Sequence, residues 1–164
     1  MNDFPPTIVI RHRKENLKKC SLRGLEKRED FLFFRYPLQE LLPTMDYTLL
    51  TVDSSEELSE ADKNRGLLIL DATWRLAQIM EKNIPALAGL KKRHLPQNIL
   101  TAYPRRQNDC PNPSQGLASL EAIVCAYSLL GRPIGGLLDE YHWKDSFLEK
   151  NGLFLLKCAY ERED

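Results

Sequence analysis

Short apolar runs, each about as long as a buried strand, recur through the first half of the chain. Residues 7–10, 31–34, 47–52 and 67–70 combine aliphatic, β-branched and aromatic side chains, and charged or turn-forming residues bound them. Such runs are typical of strands that are buried on both faces of a sheet. A fifth and shorter strand candidate is the pair Ile99-Leu100.

The second half of the chain carries apolar residues at helical spacing instead. The pattern predicts an amphipathic helix over residues 74–84, which ends before a proline. A second helix is predicted over residues 119–130, with Ser119 as its N-cap and a glycine as its stop. Further helices are predicted over residues 135–141 and 143–160. Between the strand candidates of the first half, the sequence also suggests one helical turn over residues 37–42 and a surface linker or short capped helix over residues 54–64. Strands therefore alternate with helices, which predicts an α/β protein with a mainly parallel sheet flanked by helices.

The run at residues 67–70 ends abruptly in Asp71-Ala72-Thr73-Trp74. In open α/β sheets, ligands bind just beyond the carboxyl ends of the strands, so Asp71 and Trp74 are candidates for a binding site. The alternative is that Asp71 caps the next helix and Trp74 packs in the core. Residues 101–116 have no periodicity and carry two adjacent arginines, and a stretch of this kind is usually functional or disordered.

The net charge of zero hides an uneven distribution. The formal charge is +4 over residues 1–36, −6 over 37–64, +6 over 65–106 and −4 over 107–164. If the two basic blocks meet in space they form a basic face that suits a polyanion, and scattered surface charge is the alternative. His12 lies between two arginines, where it could be a catalytic base, a phosphate contact or a plain surface residue.

The 164 residues are expected to form one domain spanning residues 1–164. The four cysteines are far apart and form no C-x-x-C pair, so neither a metal site nor a disulfide framework is expected, and a cytoplasmic location fits. No apolar run reaches membrane-spanning length, so no membrane partner is expected. No G-x-G-x-x-G follows the first strand, which disfavours a Rossmann dinucleotide site.

Several short motifs follow one another along the chain: Arg11-His12, Lys18-Lys19-Cys20-Ser21, Leu58-Ser59-x-x-Asp62, Asp71-Ala72-Thr73-Trp74, Arg93-x-Leu95-Pro96, Leu117-x-Ser119-x-Glu121-Ala122, Trp143 and Phe147-Leu148-x-x-Asn151. In this order they resemble the DTW-domain superfamily of RNA aminocarboxypropyltransferases, and most closely its small-subunit ribosomal RNA branch. That branch usually has Asn-Pro-Val-Asn-Tyr-Gly at residues 103–108, where this chain has Tyr-Pro-Arg-Arg-Gln-Asn. The transfer-RNA branch has an arginine-bearing loop there.

The resemblance implies a SPOUT-like fold with a C-terminal trefoil knot that forms the site for S-adenosylmethionine. Residues 1–65 would then form the N-terminal basic loop and strands, and residues 66–164 the cofactor-binding knotted region. The implied reaction moves the 3-amino-3-carboxypropyl group of S-adenosylmethionine to N3 of a uridine or pseudouridine, in rRNA or alternatively in tRNA. A SPOUT-type RNA methyltransferase and a non-catalytic RNA-binding ribosome-assembly factor are the two other hypotheses.

The resemblance also assigns residues. Asp71 would be the catalytic base or a ligand of the cofactor's ammonium group. The implied cofactor-binding residues are Ser21, Leu50, Asp71, Trp74, Leu100, Thr101, Ala102, Leu117 and Ser119; among them Leu50, Trp74 and Leu100 would form an apolar pocket for the methyl group, while the backbone at Leu100, Ala102 and Leu117 would hold adenine and ribose. The RNA contacts expected are Arg11, His12, Lys18, Lys19, Arg93, Arg105 and Arg106. A monomer without a metal ion is expected.

Overall fold

The structure, a computed structural model, describes residues 4–14, 21–43, 46–103 and 117–162. Its strands are β1 (Thr7–His12), β2 (Phe31–Tyr36), β3 (Tyr47–Leu50), β4 (Gly66–Asp71) and β5 (Lys91–Arg93). Its helices are α1 (Trp74–Asn83), α2 (Ser119–Leu130) and α3 (Lys144–Arg162). The strands form one sheet in the order β2-β1-β4-β3-β5, and every pair of neighbours is parallel. The predicted α/β class with a parallel sheet flanked by helices is therefore confirmed.

Alternate residues of the central strands enter two separate cores, one on each face of the sheet. Val9 and Ile69 pack in the core that contains residues of α2 and α3. Ile8 and Leu68 pack in the core that contains residues of α1. Because successive side chains of a strand point to opposite faces, a strand covered on both sides needs an unbroken apolar run. The four runs seen in the sequence satisfy this requirement, and all four are strands.

Two predicted elements are wrong. The pair Ile99-Leu100 is not a strand, and the fifth strand is residues 91–93, Lys-Lys-Arg, at the edge of the sheet. An edge strand is half solvated, so its charged side chains gave no hydrophobic signal. Residues 135–141 form turns, and Gly136 has a φ of 85°, a left-handed conformation that a right-handed helix does not contain.

The strand order places a switch point between β1 and β4. The chain leaves β1 for β2 on one side of the sheet, and it leaves β4 for β5 on the other side. Connections that diverge in this way leave a crevice at the carboxyl ends of the two adjacent strands, where ligands bind in open parallel sheets. Arg11 of β1 and Asp71 of β4 lie in register at this crevice.

Three further expectations concern the knot, a membrane-spanning helix and a metal site. The implied trefoil knot would pass through residues 104–116, which lie outside the described residues, so the knot stays a prediction. Among the helices in the described ranges, none has the length and apolar character needed to cross a bilayer. Within the same ranges, no three His, Cys, Asp or Glu side chains are grouped closely enough to hold a metal ion.

We expect Gly66→Ala to destabilise the fold, because the start of β4 lies against the ring of Tyr47. A Cβ at position 66 would be 2.4 Å from that ring, and the ring is anchored by a 2.6 Å hydrogen bond from the Tyr47 hydroxyl to the Pro6 carbonyl. Overpacking of this kind lowers the free energy of unfolding by about 1–3 kcal/mol. Urea denaturation measures it. Gly89→Ala is the matched control, because a Cβ there meets nothing within 4 Å. Equal urea midpoints for the two variants would contradict the prediction.

Candidate active site

A cavity of about 370 Å³ opens at the carboxyl ends of β3, β4 and β5. This volume is within the range of small-molecule binding sites, about 300–1,000 Å³. Apolar groups form most of its wall, and they come from strand ends, connecting segments and helices: Leu50, Ile69, Trp74, Leu95, Ile99 and Leu117. Polar groups among the lining residues include Thr51, Asp53, Gln78 and Ser119. The cavity therefore suits a ligand that combines an apolar body with a few polar atoms.

Asp71 is not itself among the residues that line the cavity, but its sequence neighbours Leu70 and Ala72 are. Its Oδ1 accepts a hydrogen bond from Ser119 Oγ at 2.7 Å, and its Oδ2 accepts one from Arg11 Nε at 3.2 Å. The side chain of Asp71 is only 5% exposed and that of Arg11 only 13%. One buried carboxylate therefore joins β1, β4 and the first residue of α2. Asp71 does not cap α1, because that position is filled by Thr73.

Arg11 is fixed on several sides. Besides Asp71, its guanidinium donates to Glu26 Oε1 at 3.2 Å and lies 5.0 Å from the centre of the Phe33 ring. Burial raises the pKa of Glu26, but hydrogen bonds from its own backbone, from Arg11 and from Gly24 outweigh burial and hold that pKa below its usual value. The two carboxylates already compensate the positive charge of Arg11, so this side chain attracts a phosphate only weakly. The expected role of Arg11 as an RNA contact does not fit this position.

The start of α2 is arranged differently from the prediction. Ala118, and not Ser119, is the N-cap, since the carboxylate of Glu121 accepts the Ala118 N–H at 2.8 Å. The hydroxyl of Ser119 is thereby left for Asp71. Ser21 accepts a 3.2 Å hydrogen bond from a backbone N–H in the first turn of α2. Two residues that the resemblance assigned to the cofactor, Ser21 and Ser119, thus meet at the same helix end.

The segment 100–102 is also held differently from the expectation. Both backbone polar groups of Leu100 are hydrogen-bonded to the Asn151 amide at 2.8 Å, and the Ala102 N–H is bonded to Glu121 at 2.8 Å. The two N–H groups are therefore engaged within the protein, which leaves the carbonyl oxygens of this segment as the backbone groups that can contact adenine or ribose. The Leu100 side chain is 46% exposed and does not line the cavity, where the neighbouring Ile99 takes that place. Leu50, Trp74 and Leu117 do line it.

Arg93 does not belong to an open basic face. Its guanidinium pairs with Glu56 at 3.1 Å and with Asp62 at 3.4 Å, and the side chain is largely buried. Both carboxylates belong to the acidic block, residues 37–64, which packs beside β5 and neutralises it. The expected phosphate contact at Arg93 does not fit this arrangement, because a cation paired twice attracts a further anion weakly.

Of the three roles suggested for His12, the plain surface residue is excluded by burial, and the local contacts do not favour the other two. The ring is only 6% exposed, and its Nδ1 accepts a 3.0 Å hydrogen bond from the Lys14 backbone N–H. Burial, followed by the charges of Lys14 and Arg13, lowers the pKa of His12. The lowered pKa favours the neutral imidazole, and because Nδ1 accepts a hydrogen bond, the proton of that neutral form is assigned to Nε2. This arrangement favours neither a free base nor a cation that pairs with phosphate.

Exposed cations occupy the same edge of the sheet at positions that motif matching missed. Arg13 and Lys14 directly follow β1, and Arg35 in β2 is in register with Arg11. In the described part of the chain, no ion pair engages these three side chains. Their position at the carboxyl ends of predicted strands was the available signal. The remaining RNA contacts expected from the sequence, Lys18, Lys19, Arg105 and Arg106, lie outside the described residues and stay predictions.

Comparison with known proteins adds one finding about the fold. The sequence matches no protein-family model and no curated protein. Four solved chains match it in structure. One is the SAM-dependent rRNA:acp-transferase Tsr3 from Vulcanisaeta distributa, with a TM-score of 0.71 and 19% sequence identity; the match covers 95% of this chain and 84% of that one. At this identity the likeness shows that the two chains share a fold.

We expect protonation of His12 to destabilise the protein between pH 7 and pH 5. An unfolded histidine takes up a proton near pH 6.5, whereas the folded His12 does so only at lower pH. The unfolded state therefore binds more protons in this window, and stability falls as the pH falls. His12→Asn keeps an acceptor for the Lys14 N–H but does not titrate here, so it should lose less stability over this pH range. Chemical denaturation at pH 7, 6 and 5 measures the loss.

The exposed His142 provides the matched control for this prediction. His142→Asn removes a histidine without touching the contacts of His12. A pH dependence that is the same in wild type and His12→Asn would show that His12 is not the titrating group.

Proposed function

We propose that this chain is an RNA-modifying transferase. It moves the 3-amino-3-carboxypropyl group of S-adenosylmethionine to N3 of a uridine or pseudouridine, most readily in rRNA. One observation carries the proposal: three functions are laid out in order along one edge of the sheet. Arg13 and Lys14 follow β1 and Arg35 lies near the end of β2, with no ion pair to any of them among the described residues; Asp71 ends β4, and the cavity lies over the ends of β3, β4 and β5. The shared fold with a SAM-dependent rRNA:acp-transferase supports it.

The cavity offers a suitable group for each part of S-adenosylmethionine. Its apolar wall suits the methyl group, and a sulfonium cation is attracted by the face of an aromatic ring such as Trp74. The Trp74 Nε1 is buried and has no hydrogen-bond partner among the described residues. An unsatisfied buried donor costs about 1–3 kcal/mol. A bound acceptor would remove that cost. The indole N–H of Trp74, which has no acceptor among the described residues, therefore fits a ligand-binding role.

S-adenosylmethionine, as co-substrate, supplies a carbon that is activated by the neighbouring sulfonium. In the proposed transfer this carbon leaves sulfur and bonds to N3 of the base, the N3 proton is lost, and methylthioadenosine is released. The methyl carbon is activated by the same sulfonium, so placement in the cavity has to decide which carbon is attacked. A cavity that encloses the methyl group and directs the longer arm toward Asp71 would make that choice.

Asp71 is the group proposed to act directly on the substrates, either by accepting the proton from N3 or by binding the ammonium group of the co-substrate. Its Oδ1 accepts a hydrogen bond from Ser119, and its Oδ2 accepts one from Arg11. In either role, Ser119 and Arg11 fix its orientation, and the cost of rearrangement during the reaction is low.

The RNA would approach from the side of β1 and β2. There Arg35 lies in register with Arg11, and two like charges side by side on neighbouring strands repel each other. Carboxylates relieve this repulsion at Arg11 but not at Arg35. A phosphate beside Arg35, Arg13 and Lys14 would complete the charge balance and bring the attached nucleotide toward Asp71.

Product analysis tests the proposed reaction. The purified protein is incubated with rRNA or tRNA transcripts and with S-adenosylmethionine labelled either in the aminocarboxypropyl chain or in the methyl group. The chain label is expected in the RNA, together with free methylthioadenosine. Methyl label in the RNA with adenosylhomocysteine would identify a methyltransferase instead. Binding of RNA with neither product would identify an assembly factor.

Asp71→Asn separates the two roles of this carboxylate in the same assay. As a base, Asp71 contributes about two to four orders of magnitude, so turnover at saturating co-substrate should fall by at least about a hundredfold. As an ammonium ligand, it would mainly set the affinity for S-adenosylmethionine. Asp145→Asn removes an exposed carboxylate at the start of α3 and serves as the control. Unchanged turnover and affinity in Asp71→Asn would refute both roles.

The proposed RNA face is tested with Lys14→Ala combined with Arg35→Ala. Each phosphate contact contributes a salt-dependent term, so losing two should flatten the slope of log affinity against log salt by about 1.4–1.8 units. Affinity for S-adenosylmethionine should not change. Lys63→Ala with Lys82→Ala removes two exposed cations near the opposite ends of the strands and should leave the slope intact. Equal slopes for both double variants would place the RNA elsewhere.

A further inference from the structure

We infer that Glu121 and Asn151 are positioning residues that set the affinity for S-adenosylmethionine by fixing two walls of its cavity. This inference rests on the proposed function and deepens it. Ile99 and Leu117 line the cavity from two chain segments that are far apart in sequence. Glu121 and Asn151 hydrogen-bond to backbone groups that follow Ile99 and Leu117 in the sequence.

Glu121 hydrogen-bonds to both segments, the one that follows Ile99 and the one that follows Leu117. Its Oε2 accepts from the Ala102 N–H at 2.8 Å, and its Oε1 accepts from the Ala118 N–H at 2.8 Å and from the Thr101 hydroxyl at 2.6 Å. The first and third of these groups follow Ile99, and the second follows Leu117. A single carboxylate therefore holds the two segments at a fixed separation, and with them the two lining side chains.

Burying the Glu121 carboxylate costs free energy of desolvation. The side chain is fully buried, and the three donors around it are uncharged. Removing a carboxylate from water is expensive, and hydrogen bonds offset that expense only in part. An apolar residue would fill the same space without this penalty. What it could not do is bind both backbone segments at once.

Asn151 fixes the same segment from the other side. Its buried amide accepts from the Leu100 N–H and donates to the Leu100 carbonyl, both at 2.8 Å, and also donates to the Phe147 carbonyl at 3.0 Å. The amide thus pairs with an irregular segment as a neighbouring strand would. The backbone at Asn151 leaves helical geometry, with φ −119° and ψ 15°, inside α3. The helix is interrupted at the residue that makes this contact.

Glu121→Gln is the sharpest test. Glutamine keeps the shape, but its terminal amide has one acceptor and one donor group. In one orientation the NH₂ faces the Ala102 N–H, and in the other it faces the Ala118 N–H. One wall must therefore be released in either case. Losing one buried hydrogen bond of this kind should weaken S-adenosylmethionine binding by at least about tenfold. Calorimetry well below the melting temperature measures the dissociation constant.

The matched control is Glu149→Gln, which makes the same change of charge at an exposed position of α3. Its dissociation constant should stay within about twofold of wild type, since exposed charges contribute little. Asn151→Asp tests the second residue, because it places an oxygen against the Leu100 and Phe147 carbonyls. Its control is Asn64→Asp, at an exposed asparagine. Hydrogen exchange of the Leu100 and Ala102 amides should speed up in the corresponding variants.

A purely structural role is distinguished by comparing binding with stability. Lower melting temperatures in Glu121→Gln and Asn151→Asp, with unchanged affinity for S-adenosylmethionine, would overturn the inference. Should either variant fail to fold, Thr101→Val removes the 2.6 Å hydroxyl contact to Glu121, together with the 3.0 Å hydrogen bond that this hydroxyl accepts from the Tyr103 N–H, and is expected to weaken binding in the same direction. A wild-type protein that binds no S-adenosylmethionine would overturn the proposed function and this inference together. Wild-type binding with unaffected variants overturns only the inference.

Discussion

The buried contact between Asp71, Arg11 and Ser119 is the interaction on which the site depends. Parallel strands end at the same edge of a sheet, so a carboxylate that ends β4 and an arginine near the end of β1 meet without any loop to carry them. The carboxylate then binds the first residue of α2. Leaving any of these groups unpaired in a buried position is costly, which fixes the start of the helix relative to the sheet.

A consequence of this arrangement is that the edge of the sheet is divided by charge. On the side of β5, carboxylates form ion pairs with the cations. Glu56 and Asp62 pair with Arg93, and Glu81 pairs with Lys92 at 2.6 Å. On the side of β1 and β2, the exposed cations have no such partners in the described residues. The cavity occupies the neutralised side. Asp71 separates it from the basic side, which is a suitable position for a group that acts between a co-substrate and a polyanion.

Two further buried polar residues, Glu121 and Asn151, hold another part of the site. They connect residues 100–102 with α2 and α3 through hydrogen bonds. Buried polar groups of this kind specify one arrangement of the backbone more than they add stability. The cavity is therefore bounded by segments whose separation is set by hydrogen bonds.

The sequence by itself determined the central strands and the helices α1, α2 and α3, and it placed Asp71 and Trp74 where the buried strand β4 ends and α1 begins. Each of these follows from local periodicity or from position at the end of an apolar run. Tertiary structure decided the rest. Lys91–Arg93 is an edge strand although its side chains are charged. Arg93 is neutralised by carboxylates that are distant in the sequence, and His12 is buried. Whether a charged side chain is free or neutralised depends on what lies opposite it in space, and no pattern along one chain carries that information.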